Sequence, residues 1–265
     1  MPQPIPITDP DDPRIAAYRD VRERDLVGRE GGFIAEGEVV LRVLAASPLH
    51  ETASVLIADK RADRLAPILD GLPDDTPVYT ASQAVIDAIA GFHLHRGILA
   101  LGRRGPSLSA GELLAKAGER ALVVVLFGIA NHDNLGGVFR NAAAFGADAV
   151  ILDATCCDPL YRKAIRVSVG GVLKVPFARL EAGEDALALL ADHGFEAVAL
   201  SPSGETMLGD LVPPPRAAAL FGTEGEGLAP ELLARARTVR IPMAGGFDSL
   251  NVATTSGIVL HHLRG

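Results

Sequence analysis

The chain has 265 residues, 48% of them hydrophobic and 22% charged, with a formal net charge of −8. That length supports one large domain or two small ones, and the acidic balance argues against a protein that coats nucleic acid through charge alone, while leaving room for a local basic face. No apolar run is long enough to span a bilayer, the start Met1-Pro-Gln-Pro-Ile-Pro6 lacks the parts of a secretory signal, and the adjacent Cys156 and Cys157 suit neither a disulfide nor a zinc framework, so a cytoplasmic protein without membrane or metal is expected.

In chain order, residues 1–13 are rich in proline and aspartate and predict a loose, flexible arm. From Arg14 to Arg29, five arginines (Arg14, Arg19, Arg22, Arg24, Arg29) outnumber three acids (Asp20, Glu23, Asp25). This stretch is either a solvated helix face with i,i+3 and i,i+4 ion pairs or a patch that faces RNA. Strands are predicted at 33–36, 54–58, 76–79 and 97–101, alternating with helices at 39–44, 61–69 and 83–90. These make a small α/β unit over residues 14–102, followed by a Gly/Pro-punctuated linker over 103–120. Ser109 and Glu112 have the spacing of a capping box for a short helix in that linker.

The second unit, residues 121–265, opens with an unbroken apolar run at 121–127 and a helix at 135–145. Strands follow at 149–152, 172–175, 197–200, 218–221 and 238–241, with helices at 160–167, 185–193, 230–234 and 252–263. Strands alternating with helices predict a mostly parallel sheet covered on both faces.

Three loops of this unit carry unusual chemistry. Asn131-His-Asp-Asn134-Leu-Gly-Gly-Val-Phe-Arg140 follows the first strand, Gly222-Thr-Glu224-Gly-Glu-Gly-Leu228 a later one, and Ile241-Pro-Met243 to Ser249-Leu250-Asn251 the last. In a parallel sheet the loops after the strands share one edge, where ligands bind, so segments distant in sequence can converge. The glycines let backbone approach a flat ligand, and Ile241, Met243 and Leu250 supply apolar walls. Turn formation alone also accounts for any one of these glycines, and helix capping for Ser249 and Asn251. Neither a dinucleotide fingerprint nor a phosphate loop is present.

Together the three segments resemble the signature motifs of the SpoU (TrmH-type) family of SPOUT RNA methyltransferases. Arg166-Val-Ser168-Val-Gly170 is similar to a further family segment, and the likeness runs in order over about residues 120–263. Two positions depart from the family: Gly137 stands where alanine is usual, and Asn141 where threonine or serine is usual. The first unit, with Arg29 ahead of a helix, is similar to the small N-terminal RNA-binding domain of ribosomal RNA 2′-O-methyltransferases.

The resemblance implies an α/β fold in which the C-terminal segment threads a deep trefoil knot around the cofactor, and a homodimer formed through that region. It implies methyl transfer from S-adenosylmethionine to a ribose 2′-hydroxyl, in ribosomal RNA first and transfer RNA second. Arg140, Asn134, Glu224, Ser249 and Asn251 would be catalytic. Leu200, Gly222, Ile241, Met243 and Leu250 would hold the cofactor, and Arg29, Arg140, Arg166 and Ser168 the RNA. Because arginine keeps its charge, phosphate clamping and alkoxide stabilisation suit Arg140 better than general-base action, with the route of the proton left open. The competing reading is a noncatalytic RNA-binding or ribosome-assembly protein on the same scaffold.

Overall fold

Ile5–Ile7, inside the stretch predicted to be a loose arm, forms strand β1 and pairs in parallel with Val78–Ala81. Ile7 is buried, while Pro6, which has no N–H to give, is exposed on an edge strand where proline is tolerated. Asp12 then caps a 3-10 turn, Pro13–Tyr18, which sends Ile15 and Tyr18 into the core. The Tyr18 hydroxyl shares a buried 2.7 Å hydrogen bond with Ser54. The flexible arm is thereby corrected. The alternation Ile5-Pro-Ile7 is a strand signal that the prolines mask.

The computed structural model describes residues 3–19, 31–91, 93–94, 96–223, 225–245, 247 and 249–264. Most of the basic stretch, including Arg29, lies outside the described residues; Arg14 pairs with Asp12 and Arg19 with Asp11. By its internal contacts the chain forms two units, Met1–Pro106 with Leu160–Lys174, and Ser107–Pro159 with Val175–Gly265.

The first unit continues through β2 (Gly32–Glu36), α1 (Glu38–Ala45), β3 (His50–Ala58), α2 (Ala62–Leu69), β4 (Val78–Ala81), α3 (Gln83–Ala90) and β5 (Ile98–Arg104). Its sheet has the order β1-β4-β3-β5-β2, with β5 antiparallel to both neighbours. Ser82 caps α3 through Val85 N–H, and Gly91 ends it in the left-handed region.

In the second unit Ser109 and Glu112 form the capping box of α4 (Ala110–Lys116). Then come β6 (Ala121–Leu126), α5 (His132–Ala144) and β7 (Ala149–Leu152). Every residue of β6 is buried, which explains its unbroken apolar run: both faces of a central parallel strand are covered. Each large aliphatic side chain buried there contributes about 1.5–3 kcal/mol.

Helix α6 (Arg162–Val167) packs on β2 and so belongs to the first unit, whereas the sequence places it within the second. A 2.6 Å ion pair from Arg162 to Glu36 and a hydrogen bond from Ser47 Oγ to Leu173 O fix this excursion. The strand predicted at 172–175 is instead a 3-10 turn, Gly171–Leu173; the strand, β8, is Phe177–Arg179. Val172 and Leu173 are fully buried, and an apolar run does not by itself distinguish a strand from a buried turn. Gly170, at φ 81°, breaks the extended path just before it.

The second unit closes with α7 (Ala186–Asp192), β9 (Glu196–Leu200), β10 (Thr206–Met207), β11 (Arg216–Phe221), α8 (Pro230–Leu233), β12 (Arg237–Arg240) and α9 (Val252–Arg264). Its sheet has the order β10-β12-β9-β11-β6-β7-β8, and every pairing is parallel. Four adjacent strands, β12, β9, β11 and β6, therefore deliver their following loops to the same edge. Among the described residues, no helix is long and apolar enough to cross a membrane.

Candidate active site

The loops after β9, β11 and β12 enclose a cavity of about 390 Å³, within the range of small-molecule sites. Leu200, Gly222, Ile241, Met243 and Leu250 all line it, as do Ser249 and Asn251. Phe221 and Val239 add apolar wall, and Ser201, Thr223 and Thr255 add hydroxyls. The second loop closes on itself through reciprocal hydrogen bonds between Thr223 and Gly227 backbones, 3.2 and 3.1 Å. A Cβ at Gly222 would lie 2.2 Å from the Gly227 carbonyl carbon, so only glycine permits this closure. Glu224 lies outside the described residues.

The first loop does not line the cavity. It reaches the site through a side chain: Asn251 Nδ2 donates to Asn134 Oδ1 at 2.8 Å. Asn251 also caps α9, its Oδ1 accepting from Ala253 N–H at 2.9 Å and Thr254 N–H at 3.3 Å. Capping fixes which end of the Asn251 amide is the oxygen, and so which end faces Asn134. Asn134 is only 7% exposed and rides on α5, whose own cap is Asn131, accepting from Asp133 N–H.

Helices α5 and α9 meet closely, and the two departures from the family pattern lie at their contact. A Cβ on Gly137 would come within 2.5 Å of the Ala253 Cβ. Asn141 donates to Ala253 O at 2.6 Å and to the buried Ser256 hydroxyl at 2.9 Å. Gly137 thus lets the helices approach, and Asn141 ties them.

Arg140 is exposed on α5, two turns beyond its N-terminus, and forms no ion pair among the described residues. Arg166 is also exposed. Ser168 is not: it is 2% exposed, and its hydroxyl donates to Ile165 O and accepts from Val172 N–H. It holds the turn in which Val169 adopts φ 54°, a costly conformation for a β-branched residue. Arg166 and Ser168 belong to the first unit, and the residues that line the cavity belong to the second.

The wall behind the first loop is built by residues that carry no motif. Burial would raise the Asp153 carboxyl, but hydrogen bonds from Gly128 N–H, Thr155 and Cys156 outweigh it and keep its pKa below the usual value. Cys156 accepts from Ile129 N–H and donates to Leu126 O. Burial pushes its thiol up to about 12 and that of Cys157 to about 11, so both are poor nucleophiles. The Arg179 guanidinium ties this turn together through the carbonyls of Asp153, Cys156 and Cys157.

The profile of the SpoU rRNA methylase family matches residues 121–261, the span that holds the cavity, Asn134 and Arg140. The chain belongs to the SpoU rRNA methylase family. It is thus an RNA methyltransferase in its broad class. An uncharacterised tRNA/rRNA methyltransferase of Mycobacterium bovis is 40% identical over 264 residues, covering 96% of this chain and 90% of that protein. A solved RNA 2′-O ribose methyltransferase is 28% identical with a TM-score of 0.78, covering 98% of both chains. The AdoMet-bound rRNA methyltransferase from Sinorhizobium meliloti, 24% identical, shares the fold at a TM-score of 0.82 over 98% of this chain and 97% of its own.

Sequence reasoning missed Ser201, Thr255 and Phe221 in the SpoU cavity. Phe221 and Leu200 end adjacent strands, so the residue after Leu200 had a positional signal. Thr255 had one too, because it lies one helical turn beyond the cap Asn251, to whose carbonyl its hydroxyl donates.

Proposed function

We propose that the chain transfers a methyl group from S-adenosylmethionine to a ribose 2′-hydroxyl, in ribosomal RNA first and transfer RNA as the alternative. The carrying observation is the Asn251–Asn134 hydrogen bond, which joins the lining of the cavity to the helix bearing Arg140. Leu200, Gly222, Ile241, Met243 and Leu250 hold the cofactor, with apolar walls for its ring and free backbone groups for its edge. The cofactor supplies an electrophilic methyl carbon. A 2′-hydroxyl is a weak nucleophile, so the protein must align it and stabilise the charge that develops on oxygen.

Arg140 grips the neighbouring phosphate and stabilises the developing alkoxide, while Asn134 orients the ribose or the guanidinium. Ser249 and Asn251 hold the acceptor side of the cavity, and Glu224 fixes the arginine or nearby amides. Arg166, presented by the turn that Ser168 closes, contacts RNA, as does Arg29, and the first unit serves as the RNA-binding domain. The solved 2′-O ribose methyltransferase, alike over 98% of both chains, supports the choice of acceptor atom.

The same reading includes a trefoil knot around the cofactor and a homodimer through the C-terminal unit. Most apolar residues of α9 are buried within the chain, but Ile258 is 40% exposed and remains for such a contact.

The test is methyl transfer from labelled S-adenosylmethionine to ribosomal and transfer RNA taken from cells lacking the gene, followed by nucleoside analysis. A 2′-O-methylated nucleoside is expected. A base-methylated product would overturn the acceptor assignment, and no cofactor binding by folded protein would favour the noncatalytic scaffold.

A further inference from the structure

Phe247 is 76% exposed, and among the described residues it is the sole aromatic among the exposed large hydrophobics. Its place in the chain is specific. It lies between Met243 and Ser249, both of which line the cavity, in a loop that tightens where Phe247 N–H donates to Ala244 O at 3.3 Å and Gly245 takes φ 67°. The same loop ends in Leu250, which lines the cavity yet is 42% exposed, and in Asn251, which holds Asn134. An aromatic ring left in water forgoes the burial that such side chains normally obtain. Here it does so in the loop that supplies Met243, Ser249, Leu250 and Asn251 to the lining of the cavity.

We propose that Phe247 is a stacking platform for the base of the nucleotide being methylated, or of its immediate neighbour, in single-stranded RNA. This rests on the methyl-transfer reading above. A nucleotide presenting its 2′-hydroxyl to a cavity has to leave its stack, and an aromatic face restores stacking without specifying the base. Phe247 would then set how firmly the ribose is held, while Arg140 and Asn134 act on the hydroxyl and phosphate. The platform accepts any base and contributes little sequence preference.

The experiment compares wild type with Phe247→Leu, Phe247→Ala and Phe247→Trp. The substrate is the methyl-accepting RNA pool, ribosomal or transfer, from cells lacking the gene, and the readouts are KM for RNA, Kd for S-adenosylmethionine and solution mass. Loss of one stacked base predicts a KM increase of about tenfold or more for Phe247→Leu and Phe247→Ala. Phe247→Trp should stay within about threefold of wild type, with cofactor Kd and mass unchanged. The stacking role is overturned if Phe247→Leu keeps wild-type KM, if cofactor affinity falls in parallel, or if the mass changes, since the ring would then cover cofactor or a second copy. Absence of transfer by the wild type to either pool would instead defeat the methyl-transfer reading itself.

Discussion

Asn251 donates its side-chain amide to Asn134 across 117 residues of chain, while its oxygen caps the helix it begins. One side chain thereby caps a helix and bridges to Asn134, and the proposed function reads that bridge as acceptor-side positioning. The two are separable by substitution. Aspartate caps helices as well as asparagine but can only accept, so Asn251→Asp forces Asn134 to turn its amide over. Melting temperature should stay within a few degrees of wild type while methyl transfer falls about tenfold or more. Asn251→Ala should lose the cap as well, at about 1 kcal/mol. Equal activity of Asn251→Asp and wild type would remove Asn134 from the mechanism.

Arg140→Ala is expected to lower methyl transfer by about a hundredfold or more, the scale of losing a preorganised charge at a reacting oxygen. S-adenosylmethionine affinity, measured by calorimetry, should change by less than about twofold, because Arg140 does not line the cavity. Arg140→Lys should recover little, since an ammonium does not reproduce the guanidinium fork.

Gly137→Val should destabilise the protein by about 2–3 kcal/mol in chemical denaturation, because its side chain would meet Ala253 at the α5–α9 contact. Adding Ala253→Gly should recover part of that loss, and the coupling energy of the double-mutant cycle should be about 0.5 kcal/mol or more. Strict additivity would mean that the helices do not meet there.

His50 gives a pH test in the first unit. Both of its ring nitrogens are buried with no partner among the described residues, and its ring meets Phe33 edge-on. Burial, with a smaller push from Arg104, lowers its pKa to about 4 from 6.5. The unfolded chain then binds a proton below pH 6.5 that the folded chain refuses until about pH 4. The stability present above 6.5 is lost progressively as pH falls across that window. Melting temperature should fall less steeply between these pH values for His50→Phe than for wild type; parallel slopes would refute the assignment.

Where one element dictates its own form, the sequence was legible. The run that became β6, the capping box at Ser109 and Glu112, and the helix over 83–90 all depend on neighbours in the chain. The cavity walls were legible for a different reason, because a parallel sheet gathers the loops after its strands whatever their spacing. What stayed hidden depends on partners far away in sequence. The prolines around Ile5 and Ile7 say nothing of an open sheet edge beside β4. The burial of Ser168 follows from a turn that only the folded chain closes. Gly137 reads as a weak helix residue until Ala253 is brought against it.

The excursion Leu160–Lys174 carries Arg162, Lys163, Arg166 and Lys174 and no carboxylate, in a chain that is acidic overall. It is encoded in the middle of the methylase segment yet packs with the N-terminal unit. The two units are therefore not interchangeable cassettes. A gene fusion cut after residue 106 would transplant an incomplete N-terminal unit and leave helix α6 behind, stripped of β2. Grafting the first unit of this chain onto another scaffold has to move both pieces.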